Sequence, residues 1–281
     1  MTNLVEFSGD LTRWGAGLVL AAAVATLAWR AGSLTVDGAV AAAAIGGIVV
    51  GTGGWWLGTL LVLFFVTSSG LSRLRATRQA QRTGDAIIRR GSRRDAVQVL
   101  ANGGAATLGA LLFALTGAEV WVLGAVCGIA AANADTWSTE IGRWAGRTPR
   151  LITTGRVVAP GTSGGVTVPG TSAAIAGAGL IALGSAVGIA AGWLALPFGL
   201  GPALLTVTVA GFAGALIDSV FGATVQRVYR CPLCNLETEQ PRHRCGTPTV
   251  PVRGLPGVTN DTVNALATLL AAGLGAVMGM L

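Results

Sequence analysis

The sequence contains no lysine, so all 19 of its basic residues are arginine. That excludes a Walker-type nucleotide site, whose phosphate-gripping residue is a lysine; no G-x-x-x-x-G-K-S/T occurs. Histidine is reduced to His243 alone. Charge of either sign is scarce, at 11% of 281 residues, against about 25% in soluble domains, which excludes an ordinary soluble globular chain. What the chain has instead is 52% hydrophobic residues and 43 glycines. Small residues let membrane helices approach closely, so the composition reads as an all-α, polytopic membrane helix bundle forming one domain over 1–281. The N-terminal stretch carries Glu6 and Asp10 ahead of the first apolar segment. A cleaved signal peptide would want a basic start, so that segment reads as a first span.

Apolar segments fall near 12–30, 36–51, 54–69, 97–116, 119–133, 171–194, 203–222 and 260–280. A span needs about 20 apolar residues, so several of these predict short or broken helices. The stretch 34–68 is too long for one helix, and Gly51-Thr52-Gly53-Gly54 supplies a break. Eight spans are expected, with seven if the second and third merge. Seventeen of the 19 arginines sit in three loops, 71–95, 143–169 and 227–257. Those loops follow the third, fifth and seventh spans, hence share one side, and the positive-inside rule makes that side cytoplasmic. The eight arginines of 71–95 (Arg73, Arg75, Arg78, Arg82, Arg89, Arg90, Arg93 and Arg94) are read as topology-setting. Arg143, Arg147, Arg150 and Arg156 are read as part of a site.

Polar clusters mark four span ends on that same side: QVLANGG (98–104), NADTWSTEIG (133–142), LIDSVFGATVQ (216–226) and TNDTVN (259–264). Ionisable groups at membrane depth are costly and usually functional. Two clusters also align without gaps: Gly128–Thr136 matches Gly211–Ser219, which pairs Asp135 with Asp218 and Arg143 with Gln226. Such internal repeats commonly place a site at their interface. Between spans five and six, PGTS occurs twice, at 160–163 and 169–172. Gly161, Thr162, Ser163, Gly164 and Gly165 are expected to offer backbone amides to phosphate, and the second PGTS to cap the sixth span.

Carboxylates beside arginines and a phosphate cradle point to Mg²⁺, which takes one or two carboxylates plus substrate phosphates. Asp135, Glu140, Asp218 and Asp261 are the candidate ligands. Asn102, Asn133, Thr136, Ser219, Gln226, Asn260 and Asn264 are the expected auxiliary groups around substrate and nucleotide phosphates. Glu119, near the opposite end of the fifth span, is left to a structural role. The stretch CPLCNLETEQPRHRCG supplies Cys231, Cys234, His243 and Cys245, a Cys₃His set suited to a structural Zn²⁺ knuckle over 231–245. Assigning His243 to zinc leaves the membrane site without imidazole.

Taken in order from about Phe64 to the C-terminus, these motifs resemble the phytyl-phosphate kinase / transmembrane-protein-nineteen family. The resemblance implies a prenyl-phosphate kinase that moves a phosphoryl group from a nucleoside triphosphate, CTP by analogy, to a prenyl monophosphate such as phytyl or geranylgeranyl phosphate. Asp135, Glu140, Asp218 and Arg143 would carry the transfer. The expected partners are those two substrates and membrane lipids, with a homodimer left open and no nucleic acid. The expected location is a bacterial-type plasma membrane with the site facing the cytoplasm. Two alternatives stand beside this: a CTP-dependent polyprenol kinase or cytidylyltransferase, and a membrane transporter or lipid-phosphate flippase.

Overall fold

The computed structural model describes residues 3–83 and 93–281, with side chains over 11–77 and 93–281. Among the described residues, eight helices are long and apolar enough to cross a membrane: α1 (Asn3–Arg30), α2 (Val36–Gly53), α3 (Trp55–Thr83), α4 (Ala96–Thr116), α5 (Val120–Trp144), α6 (Val168–Ala190), α7 (Leu200–Thr224) and α8 (Asn260–Met278). The chain is a polytopic membrane helix bundle. The expected break in 34–68 falls at Gly54, whose φ of 88° ends α2 and lets α3 begin at once. That decides for eight spans over seven.

Two helices outrun their apolar segments. After residue 69, α3 continues through a stretch rich in Arg, Leu, Ala and Gln, good helix formers that need no lipid contact. The loop expected from 71 is thus helical through Thr83. Arg78, Arg82, Arg89 and Arg90 lie outside the described side chains. The apolar part of the fifth span ends near 133, and the helix runs on to Trp144, so NADTWSTEIG closes the span as its last helical turns.

That helix, α5, is the axis of the bundle. Of its span, 72% is buried, against 17–44% for the other seven, and α3, α4, α6, α7 and α8 all pack on it. Its neighbours reach it through small residues. A methyl group at Gly211 or Gly214 of α7 would lie 2.7 Å or 2.4 Å from the Cβ of Ala130 or Ala131. Close approach of this kind is how membrane helices gain dispersion energy without a hydrophobic drive. Polar cross-links fix the register. The amide of Asn133, fully buried, accepts from the hydroxyls of Thr67 and Ser68 and donates to the Gly177 carbonyl at 2.7 Å, tying α3, α5 and α6. The Thr268 hydroxyl donates to the Ala101 carbonyl, tying α8 to α4.

Two small sheets decorate the face where α3, α5 and α7 end. β1 (Arg150–Leu151) pairs antiparallel with β2 (Gly165–Val166), closing the loop that carries the first PGTS. β3 (Val228–Arg230) lies between β4 (Glu237–Thr238) and β5 (Val250–Arg253), and frames the Cys/His loop.

Candidate functional site

Four helices begin on this face with side-chain caps: Thr35 caps α2, and three more lead into a cavity. Asp95 caps α4 in a box with Gln98, Thr167 caps α6, and Thr259 caps α8. The α6 cap differs from expectation, since the second PGTS lies inside the first turn, with Pro169 where a missing N–H costs nothing. Helix N-termini present positive partial charge and backbone N–H groups to anions. Among these three starts, the last turns of α5 and α7 bring carboxylates. All five helix ends line one polar cavity of about 660 Å³.

Asp135 on α5 and Asp218 on α7 both line this cavity, close enough for each carboxyl to feel the other's charge. The two aligned segments of the sequence are therefore neighbours, and their matched acids meet. The Oδ2 atom of Asp218 is buried without a hydrogen-bond partner. Two opposed carboxylates with an orphaned oxygen fit a hard divalent cation such as Mg²⁺, which takes oxygen ligands and retains waters. Asp261 lines the same cavity and is the third acid available. Arg143 supplies an opposing charge to Asp135.

Glu140 is arranged differently. Its Oε1 accepts from the Ser72 hydroxyl at 2.8 Å and its Oε2 pairs with the Arg75 guanidinium. Both oxygens are thus engaged by α3, and the metal-ligand role expected for Glu140 gives way to that of an anchor for Arg75. Asn133 is corrected more fully: its three interhelical hydrogen bonds consume the amide, and it does not line the cavity. Arg150 and Arg156 also lie off the lining. Arg150 bonds to the Gly155 carbonyl in its own hairpin, and Arg156 is exposed. The remaining expected residues do converge on the cavity: Asn102, Thr136, Arg143, Arg147, the run Gly161–Gly165, Ser219, Gln226, Asn260 and Asn264.

The PGTSGG run meets the cavity in a particular way. Gly161 and Gly164 have φ of 92° and 81°, but the amides of Thr162 and Gly165 donate to Ala159 and Thr162 carbonyls and so close local turns. Gly164 is required chiefly because a Cβ there would lie 2.5 Å from that of Ala223 on α7. The loop is also tied to the Cys/His segment. Glu239 Oε1 accepts from Ser163 (2.9 Å) and from Gln226 Nε2 (2.8 Å). Arg253 donates to the Gly222, Ala223 and Ser163 carbonyls, capping α7 and holding the loop against it.

Four residues unexpected from the sequence complete the cavity. Arg75, Arg93 and Arg94 come from the stretch read as topology-setting, and Glu239 from the knuckle. Arg94 is the best placed of these. Its guanidinium lies over the rings of Phe64 and Phe65 at 5.5 and 5.8 Å. Its backbone is stitched to the α1–α2 turn by bonds with Ser33 and Thr35. Burial pushes its pKa down from the ordinary guanidinium value, and the charge of Glu140 pulls it back up. The available signal was position, because Arg94 directly precedes the α4 cap that opens QVLANGG. In all the lining offers five arginines (75, 93, 94, 143, 147) and five acids (135, 140, 218, 239, 261).

The ligand atoms of Cys231, Cys234, His243 and Cys245 lie within 4.8 Å of one another. The Cys231 and Cys245 sulfurs are 3.6 Å apart, close to the about 3.7 Å that tetrahedral Zn–S bonds of 2.3 Å impose, so the set fits Zn²⁺. Hydrogen bonds with Thr247 and His243 pull the Cys245 thiol down to about 5. Cys127, buried inside α5, is a packed thiol far from these.

A profile of the family described as integral membrane protein DUF92 matches residues 19–272. Protein PGR of Arabidopsis thaliana is 31% identical over 280 residues, covering 90% of this chain and 91% of that protein. An uncharacterised membrane protein of Methanocaldococcus jannaschii is 33% identical over 228 residues, covering 79% of this chain and 87% of its own length. Another from Synechocystis is 30% identical over 257 residues, with 88% and 80% covered. No solved structure matches the chain.

Proposed function

The chain belongs to the DUF92 family of integral membrane proteins, and from that premise we propose that it is a Mg²⁺-dependent prenyl-phosphate kinase. It transfers the γ-phosphoryl group of a nucleoside triphosphate, CTP in our reading, to a prenyl monophosphate such as phytyl or geranylgeranyl phosphate. The observation that carries the proposal is the opposed Asp135–Asp218 pair, with its orphaned Asp218 oxygen, at the floor of an arginine-lined cavity.

The chemistry suits what the cavity contains. The bond between the γ-phosphorus and the β–γ bridging oxygen breaks, and an oxygen of the acceptor phosphate takes its place. The acceptor's second pKa is about 6, so it arrives largely deprotonated and needs no strong base. No histidine lines the cavity. Phosphoryl transfer is limited by positioning and charge neutralisation, which arginines and helix N-termini supply. Mg²⁺ held by Asp135 and Asp218, with Asp261 in reach, would neutralise the transferred group and orient it. Arg75 and Glu140 hold each other as a pair, leaving Arg93, Arg94, Arg143 and Arg147 to grip phosphate oxygens. Zn²⁺ on the Cys/His set would stiffen the loop that carries Glu239, and through it the PGTSGG run. The arginine-bearing face is taken as cytoplasmic, in a plasma membrane, on the positive-inside argument.

The proposal is tested by incubating purified protein with geranylgeranyl or phytyl monophosphate, or the corresponding free alcohols, and each of the four nucleoside triphosphates. We expect the diphosphate from the monophosphate and no product from the alcohol. Phosphorylation of the alcohol would make this a polyprenol kinase. A nucleotidyl-lipid product would make it a cytidylyltransferase. No product from any pair would leave transport as the stronger reading.

A further inference from the structure

A second cavity, of about 310 Å³ and almost wholly apolar, lies between α1, α2, α3 and α4. It shares three lining residues with the polar cavity, Arg94, Gln98 and Asn102. It is a cleft open on one side, since Leu20, Trp55 and Val62 of its lining are exposed, and between membrane helices such an apolar space is filled by hydrocarbon. The packing explains why it stays open. α1 packs closely on α2 but stands off α3 and α4 across the cavity. The α1 wall is lined by small residues such as Gly17, Ala21 and Ala25.

We infer that this cavity holds the hydrocarbon tail of the phosphate acceptor, with the acceptor's phosphate at the junction beside Arg94. The inference rests on the kinase reading above and adds where each substrate lies. The acceptor phosphate enters from the α3–α4 side. The nucleotide is left the α5–α8 side, with Arg143, Arg147 and the PGTSGG run. Arg94 is suited to the boundary: its guanidinium already stacks on Phe64 and Phe65, which line the apolar cavity, while its charge faces the polar one. An anionic head with an apolar tail matches both halves of that environment.

The dimensions bound the tail. On α3 the lining runs from Trp55 to Phe65 and on α1 from Gly17 to Ala28, which at a rise of 1.5 Å per residue is a depth of about 15 Å. An extended chain advances about 1.2 Å per bond, so about twelve bonds fit, or three prenyl units. The fourth unit of a twenty-carbon chain would pass the level of Trp55.

The test is photo-crosslinking in phosphatidylcholine nanodiscs with a geranylgeranyl monophosphate carrying a terminal diazirine. Adducts are expected on α1 and α3 near Gly17–Ala21 and Trp55–Thr59, displaced by unlabelled prenyl monophosphate. Arg94→Gln is expected to lower adduct yield ~10-fold, the scale of one charge-assisted hydrogen bond. Ala25→Phe, placed partway down the cavity, is expected to move adducts out of the α1–α4 lining. Adducts confined to α5–α8, or unaffected by unlabelled prenyl monophosphate, would overturn the assignment, the latter by marking a site for bulk lipid chains. Crosslinking requires no turnover. Displaceable α1–α4 adducts without diphosphate formation would keep the tail site and sink the kinase reading. Diphosphate formation with adducts elsewhere would do the reverse.

Discussion

A buried carboxylate oxygen with nothing to bond costs free energy, and Asp218 Oδ2 is one. Its opposite number, Asn133, also polar and buried, has every amide atom engaged by α3 and α6. The sequence could not draw that contrast, because both occur in membrane-depth polar clusters. Asp218→Asn is expected to leave the detergent-solubilised protein folded and to cut turnover by about a thousandfold, as several kcal/mol of transition-state stabilisation through the metal are lost. Asn133→Ala should do the opposite. Losing interhelical hydrogen bonds worth roughly 0.6–1.7 kcal/mol each should lower the unfolding midpoint while kcat per folded molecule is retained. Thermal melts and turnover measured on the same preparations separate the two outcomes. A stability loss in Asp218→Asn equal to that of Asn133→Ala would make Asp218 another cross-link.

At the scale of elements, span existence was legible because twenty-residue apolar runs and a Gly-rich break carry it. Span ends were not. The apolar signal stops at 69 and 133, yet α3 and α5 continue as helices, and Ser72 and Arg75 of the one and Asp135, Thr136, Thr139, Glu140 and Arg143 of the other line the polar cavity. The same blindness hid Arg75 and Arg94, since a basic run that sets topology reads alike whether or not it folds back over a site. The Gly-rich loop taught a further lesson. Gly164 and Gly165 were expected to serve an anion alike, but only Gly164 has positive φ and abuts α7. Gly164→Ala is expected to lower both stability and kcat, whereas Gly165→Ala, which needs no positive φ but puts a Cβ 3.0 Å from the Thr162 carbonyl oxygen, should cost less. Comparable losses in both variants would restore the amide-cradle explanation. For the knuckle, about one Zn²⁺ per chain is expected, bound by the Cys₃His set. Cys231→Ser should lose it along with thermal stability, and activity only secondarily through Glu239 and Ser163. A metal-free native protein of full stability would contradict this.

For the whole molecule, eight spans put both termini on the face opposite the arginines. The clustering of 17 arginines in three loops after odd-numbered spans is what carries the expected orientation. The apolar cavity among α1–α4 was not legible in the sequence, because no local pattern records that two helices stand apart. Glu119, in the turn between α4 and α5 and exposed, lies on the far face. Glu119→Cys should therefore react with a membrane-impermeant maleimide on intact cells, and labelling only after permeabilisation would invert the topology.

The central claim, that the Asp135–Asp218 floor of the polar cavity transfers a phosphoryl group, is tested most directly by following γ-labelled nucleoside triphosphate into lipid. Purified wild type, Asp135→Asn and Asp218→Asn would be compared across a Mg²⁺ titration with geranylgeranyl monophosphate as acceptor. The account predicts label in the terminal phosphate of the diphosphate for the wild type, saturating with Mg²⁺, and almost none for either folded variant. Mg²⁺-independent labelling, or variants that label as fast as the wild type, would contradict it.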